Sequence, residues 1–171
     1  MSLKKIVFDI VIAVMVLFAI FLVNQKYGDA IKHAIFSDST SYTVYIDTVA
    51  LGVTLADTEK ERREGLSGVE SLPKLGGKLF IFDEEQRHGI WMKDMNFPID
   101  IMWFNNNLEL VHIEENVDPS TYPKVFGPNK DARFVLETNS HFVDSIRVQI
   151  GNRLTLPPSI LPTDIKESLQ Q

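Results

Sequence analysis

Cysteine is absent from the 171-residue chain. Its absence excludes disulfide bonds, thiolate metal ligands, a thiol nucleophile and lipid attachment to an N-terminal cysteine. Basic residues are also scarce, with 17 Lys and Arg against 23 Asp and Glu and a net charge of −6. Because nucleic-acid binding rests on a basic surface, this balance argues against a nucleic-acid partner. The length suffices for one ordinary domain and an appendage.

Histidine is sparse as well, with four residues in the chain. His33 lies in a predicted tether, and His88, His112 and His141 are far apart in sequence. None has a His or Glu at the i+4 spacing that places two metal ligands on one face of a helix. We therefore predict no metal site, and no segment indicates a cofactor.

The N-terminal region contains one long apolar run, residues 6–23, interrupted only by Asp9. As a helix with a rise of about 1.5 Å per residue, this run would be roughly 27 Å long, close to the roughly 30 Å hydrocarbon core of a bilayer. Asp9 lies near the end marked by Lys4 and Lys5, where its carboxylate can reach the headgroups. The run therefore predicts a single transmembrane anchor.

Two other interpretations of this run stay open. A cleaved signal peptide needs small residues before the cut, and Gly28-Asp29-Ala30 is only a weak match behind an unusually long apolar core. A buried core helix would show a polar stripe, which the run lacks. We expect an uncleaved anchor in the cell membrane with residues 1–5 in the cytoplasm, because the lysines lie on the short N-terminal side. The rest of the chain would then lie outside the cytoplasm.

After a tether over residues 24–41, the chain reads as a domain of short strands over residues 42–157, with a loose tail over 158–171. β-branched and alternating patterns predict strands at 42–46, 49–55, 78–82, 99–104, 108–113 and 132–137. Residues 57–66 predict a helix, in which Thr58 and Glu61 form a capping box and Gly65 is the C′ residue.

The remaining segments give further predictions of local structure. Residues 99–104 and 108–113 should form a hairpin, as should 148–150 and 153–156. Residues 114–131 contain proline and glycine at intervals and predict a long ordered loop. Asn139 is expected to cap a short helix over 140–145. The fold class is thus α+β, mainly β: a small barrel-like or rolled antiparallel sheet with two short helices, preceded by one transmembrane helix.

The stretch Trp91–Phe104 is the most informative part of the domain, with both tryptophans and three of the five methionines. Read in steps of two residues from Ile99, both faces are mostly apolar, which predicts a strand buried on both sides. Asp100 interrupts this strand, and an unpaired buried carboxylate costs several kcal/mol. We therefore expect Asp100 to be paired or hydrogen-bonded.

Glu137 resembles Asp100 in its setting, because it follows the apolar residues Phe134–Leu136 of another predicted strand. Brought together, the two carboxyl groups would raise one pKa and could act as acid and base. Alternatively each pairs with a cation, for which the candidates are Arg62, Lys93 and Arg133. Trp91 is either part of the core or a platform for a ligand.

Several segments resemble one known family. The first half is carried by Ala56-Asp57-Thr58, Glu61-Arg62, Gly65–Gly68, Gly77 and Leu79-Phe80. The diagnostic block is Trp91–Met95 with Pro98–Ile101. The later part is carried by Asn116, Pro119, Tyr122-Pro123, Phe126, Pro128, Ala132–Glu137, Asn139 and Gly151. On these residues the region 49–155 resembles the bacterial and archaeal domain of unknown function 192 family.

This resemblance implies a compact β-rich fold, often behind an export or anchor segment, and no known activity or cofactor. Three positions depart from the family pattern. Val69 stands where the family often has arginine, and His141 and Arg147 stand where it commonly has glycine. If that arginine serves a shared polar site, Val69 puts the site in question for this chain.

Three functions fit these features. The first is an extracytoplasmic binding module that holds a small ligand, glycan or peptide of the cell envelope. The second is a hydrolase or lyase that uses Asp100 and Glu137. The third is a structural or assembly partner with no pocket, which an exposed apolar patch on the folded domain would support. The candidate polar or ligand-binding residues are Arg62, Trp91, Lys93, Asp100, Glu137 and Asn139.

Overall fold

The computed structural model describes residues 41–168. The predicted anchor at 6–23 and the predicted tether up to residue 40 lie outside these residues. Each α-helix described within residues 41–168 has only five or six residues, too few to span a bilayer.

The described residues form nine strands, three short α-helices and one 3-10 turn. In chain order these are β1 (Tyr42–Ile46), β2 (Val49–Ala56), α1 (Glu59–Glu64), β3 (Gly76–Gln86), β4 (Ile90–Trp91), β5 (Ile99–Phe104), β6 (Leu110–Val117), the 3-10 turn (Pro119–Thr121), β7 (Val125–Phe126), β8 (Ala132–Asn139), α2 (Phe142–Ile146), β9 (Leu154–Thr155) and α3 (Thr163–Ser168).

Seven of the strands form one curled sheet, a half-barrel with the order β6-β5-β8-β3-β2-β1-β9. The mainly β prediction is confirmed, and the strand pair β5–β6 forms the predicted hairpin. The prediction of a purely antiparallel sheet is wrong, because β2 and β3 run parallel. Residues 57–75, including α1, form the crossover connection that two neighbouring parallel strands require.

The two edge strands of the sheet meet at one end. The Leu110 N–H donates to the Asn152 carbonyl at 2.9 Å, and the Leu154 N–H donates to the Leu108 carbonyl at 2.8 Å. These bonds join the start of β6 to β9, so the sheet is closed at this end. They also satisfy edge groups that would otherwise be open to another chain.

Strand β5, second from the β6 edge of the sheet, is buried at all six positions, which confirms the prediction of a strand covered on both faces. One face of the β5–β8 pair packs into a core that contains Met102 and Leu136. The other face packs into a second core that contains Trp103 and Val135. The sheet therefore separates two hydrophobic cores, and neighbouring residues of one strand enter different cores.

Helix α1 begins as the sequence predicts. The Glu61 N–H donates to Thr58 Oγ1 at 3.3 Å, and the Thr58 N–H donates to Glu61 Oε2 at 3.1 Å, which completes the capping box. Gly65 ends the helix with φ 52°, and its N–H donates to the Glu61 carbonyl at 2.7 Å. None of the six helical residues is buried.

Three local predictions are corrected. The predicted loop 114–131 contains the end of β6, the 3-10 turn and β7, because β5 and β4 supply strand partners for it. The second helix spans 142–146 and begins after His141, which has φ 64° and whose side chain makes no capping hydrogen bond. Asn139 is the last residue of β8 and does not cap this helix. Residues 148–150 form no strand, and β9 pairs with β1 instead.

A third short helix, α3, lies in the C-terminal segment, for which the sequence indicates only a loose tail. Ile165 of α3 is buried in the first core. Both nitrogens at the end of the Arg133 guanidinium bond to the Asp164 carboxylate, which lowers the pKa of that carboxyl. The segment through Ser168 therefore packs as part of the fold.

Candidate functional site

The two buried carboxylates lie on adjacent strands but enter opposite faces of the sheet. In the β5–β8 register Asp100 is opposite Thr138, while Ile101 is opposite Glu137. Because successive side chains alternate between faces, Asp100 points toward one core and Glu137 toward the other. A single substrate has no route to both groups, so the geometry does not support their joint use as acid and base.

Asp100 is fully buried and has two hydrogen-bond donors. The Asn116 N–H donates to Oδ1 at 2.8 Å, and the Val143 N–H donates to Oδ2 at 2.9 Å. The expectation that this carboxylate is hydrogen-bonded is met, but by backbone groups and not by a cation. Asp100 thereby joins β6 at Asn116, which has φ 52°, to the first turn of α2.

Glu137 is also buried, with 4% of its surface exposed, but its Oε2 has no hydrogen-bond partner among the described residues. Burial raises the pKa of Glu137 to about 8, although the nearby Lys78 ammonium opposes this shift. A buried polar atom without a partner is rare in folded proteins and costs about 1–3 kcal/mol. This atom is therefore the clearest sign of a functional site in the described part of the chain.

Lys78 lies directly opposite Glu137 in the antiparallel β3–β8 register. Its Nζ donates to the Gly65 carbonyl at 3.0 Å, which ties β3 to the turn after α1. Burial lowers the pKa of Lys78, while the Glu137 carboxyl opposes this shift. Two ionisable groups thus face each other in a partly dry environment, and each favours its neutral form more than it would in water.

A small cleft of about 40 Å³ reaches the Glu137 side chain. One wall is α1 and the following turn, from Arg62 to Ser67, and the inner surface includes Phe80 of β3. Trp91 of β4 lies at the rim and is 44% exposed. A volume of this size holds about three water-sized groups, which excludes a whole sugar or nucleotide from the interior.

The other charged side chains around this cleft already have ionic partners. These pairs are Arg62 with Asp83, Arg63 with Glu59, and Lys60 with Glu64. Arg62 also donates to the Ile81 carbonyl at 2.8 Å and lies over the Phe82 ring, so it holds α1 against β3. Among the described residues, the buried side-chain polar atom without a hydrogen-bond partner is Oε2 of Glu137.

An exposed apolar surface adjoins the cleft, and we call it the aromatic platform: Trp91, Tyr122 and Val125. The Trp91 and Tyr122 rings meet edge to face with centroids 6.0 Å apart. Val125 pairs with Trp91 across the two-stranded sheet of β4 and β7. The three side chains are 44%, 45% and 60% exposed, and Trp91 belongs to both the platform and the cleft.

The structure brings together three of the six candidate residues, Arg62, Trp91 and Glu137. Lys93 is exposed, and its carbonyl accepts a hydrogen bond from Ser67 Oγ at 2.7 Å. Asn139 donates to the Pro73 carbonyl at 2.8 Å and lines a separate, shallow groove of about 270 Å³. Neither residue contributes a side chain to the Glu137 cleft.

The candidate residues named from the sequence did not include Lys78 or Tyr122. Lys78 carried a usable signal, because it is a charged residue at the start of the apolar run 79–82, much as Glu137 is at the end of 134–136. Tyr122 carried a weaker signal, because it was named only as part of the family resemblance. Within residues 41–168 no group of three His, Asp or Glu side chains could hold a metal ion.

The comparisons with known proteins now identify the domain. The model of the DUF192 family, described as "Uncharacterized ACR", matches residues 42–156. The chain belongs to this family. No curated protein matches it at a significant level.

Two solved structures share the fold. One is from Sinorhizobium meliloti and is described as a "putative transcription regulator". It is 26% identical, covers 69% of this chain and 95% of its own, and has a TM-score of 0.66. The other is a protein of unknown function from Novosphingobium aromaticivorans. It is 20% identical, covers 67% of this chain and 83% of its own, and has a TM-score of 0.61.

The backbone conformation explains why glycine suits two of the positions at which this chain departs from the DUF192 pattern. His141 and Arg147 have φ values of 64° and 58°, a left-handed conformation in which glycine is the unstrained choice. Val69 follows the turn that forms the cleft wall, and its carbonyl accepts a hydrogen bond from Asn96 at 3.0 Å. Its side chain packs against the second core and does not line the cleft.

Proposed function

We propose that this DUF192 domain is a ligand-binding module whose site is the Glu137 cleft together with the aromatic platform. The observation that carries the proposal is the buried Oε2 of Glu137, which has no partner among the described residues although it adjoins a cleft. A ligand that supplies this missing hydrogen bond gains affinity because it removes a desolvation cost of about 1–3 kcal/mol.

The surroundings of Glu137 favour binding over catalysis. The second buried carboxylate, Asp100, faces the other core, so the two carboxyl groups cannot act together as an acid–base pair. Ser67 lines the cleft, but its hydroxyl donates to the Lys93 carbonyl and no described base contacts it. A nucleophile would need such a base within hydrogen-bond reach.

We extend the proposal to the cell envelope. Its support is the sequence of residues 6–23, which is long and apolar enough for a membrane anchor, and the two lysines before it. The domain would then meet its ligand outside the cytoplasm. Regulation of transcription, the description of the Sinorhizobium protein, is not carried over, because a net charge of −6 opposes contact with nucleic-acid phosphates.

The test is a ligand screen in which Trp91 reports binding. Trp103 is fully buried and Trp91 is 44% exposed, so acrylamide should quench mainly Trp91 fluorescence in the full chain. The chain is kept in a detergent without a sugar headgroup and mixed with pools of neutral, anionic and cationic small compounds. We expect at least one compound to shield Trp91 from acrylamide and to raise Tm by mass action.

The matched control compares two exposed tyrosines. Tyr122→Ala removes part of the platform, whereas Tyr45→Ala removes a tyrosine of similar exposure on β1, outside the site. Tyr122→Ala should weaken the shielding and Tyr45→Ala should leave it unchanged. A screen in which no compound shields Trp91, or in which both variants behave alike, would remove the support for a binding site here.

A further inference from the structure

We infer that the ligand is a neutral glycan, with one sugar ring lying against the aromatic platform and one hydroxyl entering the cleft to hydrogen-bond the Glu137 carboxyl. The inference rests on the proposed function and names its ligand class. Three features carry it: the size of the cleft, the hydrogen-bonding capacity of Glu137 and the charge of the surroundings.

The volume of the cleft limits which part of the ligand can enter it. About 40 Å³ admits a hydroxyl or hydroxymethyl group but not a six-membered ring. The ring must therefore stay outside, where Trp91 at the rim and Tyr122 beside it offer exposed aromatic surface. A small polar arm on a ring with an apolar face is the shape of a sugar unit.

The protonated carboxyl of Glu137 and a sugar hydroxyl are complementary in hydrogen bonding. Because burial raises its pKa to about 8, the group is mostly protonated at neutral pH. A carboxylic acid offers one O–H donor and an acceptor oxygen, and a sugar hydroxyl likewise offers one donor and acceptor lone pairs. Each can satisfy the other without any net charge in the buried cleft.

The charges that face Glu137 disfavour an ionic ligand. From β3 it faces Lys78, and from α1 the cleft is bordered by Arg62, Arg63 and Glu64, while the residues opposite it on β5 and at the rim are apolar. The cations oppose a positively charged ligand. An anionic group would find Arg62 and Arg63 already paired with Asp83 and Glu59, and it would approach an acidic protein of net charge −6.

The test is calorimetric titration of the full chain, again in a detergent without a sugar headgroup, with the tetramers of glucose and of N-acetylglucosamine. At pH 6.5 we expect saturable binding of at least one tetramer. At pH 9.5 we expect its affinity to fall at least tenfold, because an ionised Glu137 no longer donates a hydrogen bond. Glu137→Gln keeps a donor and an acceptor, so its affinity should change less than twofold between the two pH values.

The platform is tested with the same titration. Tyr122→Ala should weaken binding about three- to tenfold, as expected for the loss of one aromatic contact, and Tyr45→Ala should change it less than twofold. Circular dichroism confirms that each variant is folded. A Glu137→Gln variant that loses affinity at pH 9.5 as the wild type does would overturn the role of Glu137.

The outcomes separate this inference from the proposed function. Binding of charged compounds or of peptides that shields Trp91, with no binding of either tetramer, would overturn the glycan assignment and leave the proposed binding site intact. Absence of any compound that shields Trp91 would overturn both.

Discussion

Asp100 and Glu137 are two buried carboxyl groups one register step apart on neighbouring strands, yet their surroundings are opposite. Asp100 faces one core and accepts hydrogen bonds from two backbone N–H groups. Glu137 faces the other core, and its Oε2 has no partner among the described residues. Burial alone therefore does not identify a functional carboxyl group in this fold. The number of partners that the surrounding backbone supplies distinguishes a structural group from a candidate binding group.

Removal of the Asp100 carboxylate is the most direct test of this difference between the two groups. Asp100→Ala leaves the N–H groups of Asn116 and Val143 buried without an acceptor, and each such group costs about 1–3 kcal/mol. We expect the free energy of unfolding to fall by about 3–5 kcal/mol, measured by denaturant unfolding at pH 7. The control Asp131→Ala removes an exposed carboxylate that pairs with the exposed Arg87, and should cost less than about 1 kcal/mol. A cost near that of the control would show that Asp100 is not a structural group.

The ionised Glu137 carboxylate should affect the free energy of unfolding in the opposite direction to Asp100, because its burial without a partner costs free energy. Its pKa is about 8 in the folded protein and near 4.5 in the unfolded chain, so folding favours the protonated form. The stability it supports is complete below pH 4.5 and is lost as pH rises toward 8. Between pH 5 and pH 8 we expect the wild type to lose roughly 3 kcal/mol more than Glu137→Gln. Denaturant unfolding at both pH values checks this, with Glu70→Gln as an exposed control; parallel pH curves for wild type and Glu137→Gln would contradict it.

A substitution of Lys78 tests the surroundings of Glu137 further, and we expect its effect to be smaller. Its ammonium group lowers the pKa of Glu137, against the larger effect of burial. Lys78→Met removes this charge, so the Glu137 pKa should rise further above 8. Carbon NMR of the Glu137 carboxyl during a pH titration measures the shift. Lys130→Met removes an exposed lysine and should leave the titration unchanged; an unchanged titration in Lys78→Met would mean that the two groups do not interact.

Much of the fold was accessible from local sequence patterns. Alternating patterns predicted β1 and β2, and a run that is apolar on both faces predicted β5. The Thr58–Glu61 capping-box pattern predicted the start of α1. The parallel pairing of β2 with β3 was missed, because pairing between distant segments is not encoded in the periodicity of either strand. The start of α2 was missed because His141 adopts a left-handed conformation that its residue type does not announce.

The candidate site was only half predictable for a related reason. Arg62, Trp91 and Glu137 could be named from their residue types and settings, and all three border the cleft. Their separation from Asp100 depends on strand register, which decides whether two residues share a face. The partner Lys78 likewise follows from the β3–β8 register. Sequence patterns thus identified the residue types of the site, and the pairing of strands decided which of them act together.

The exposure of α1 has a consequence for how the cleft is reached. This helix forms a wall of the cleft but buries no residue of its own. Arg62 donates to the Ile81 carbonyl of β3, and Lys78 of β3 donates to the Gly65 carbonyl just after the helix. Segments held by few buried contacts open at a free energy far below that of global unfolding. If the proposed ligand binds at Glu137, we expect local unfolding of this short helix to open its path to the carboxyl group while both hydrophobic cores stay packed.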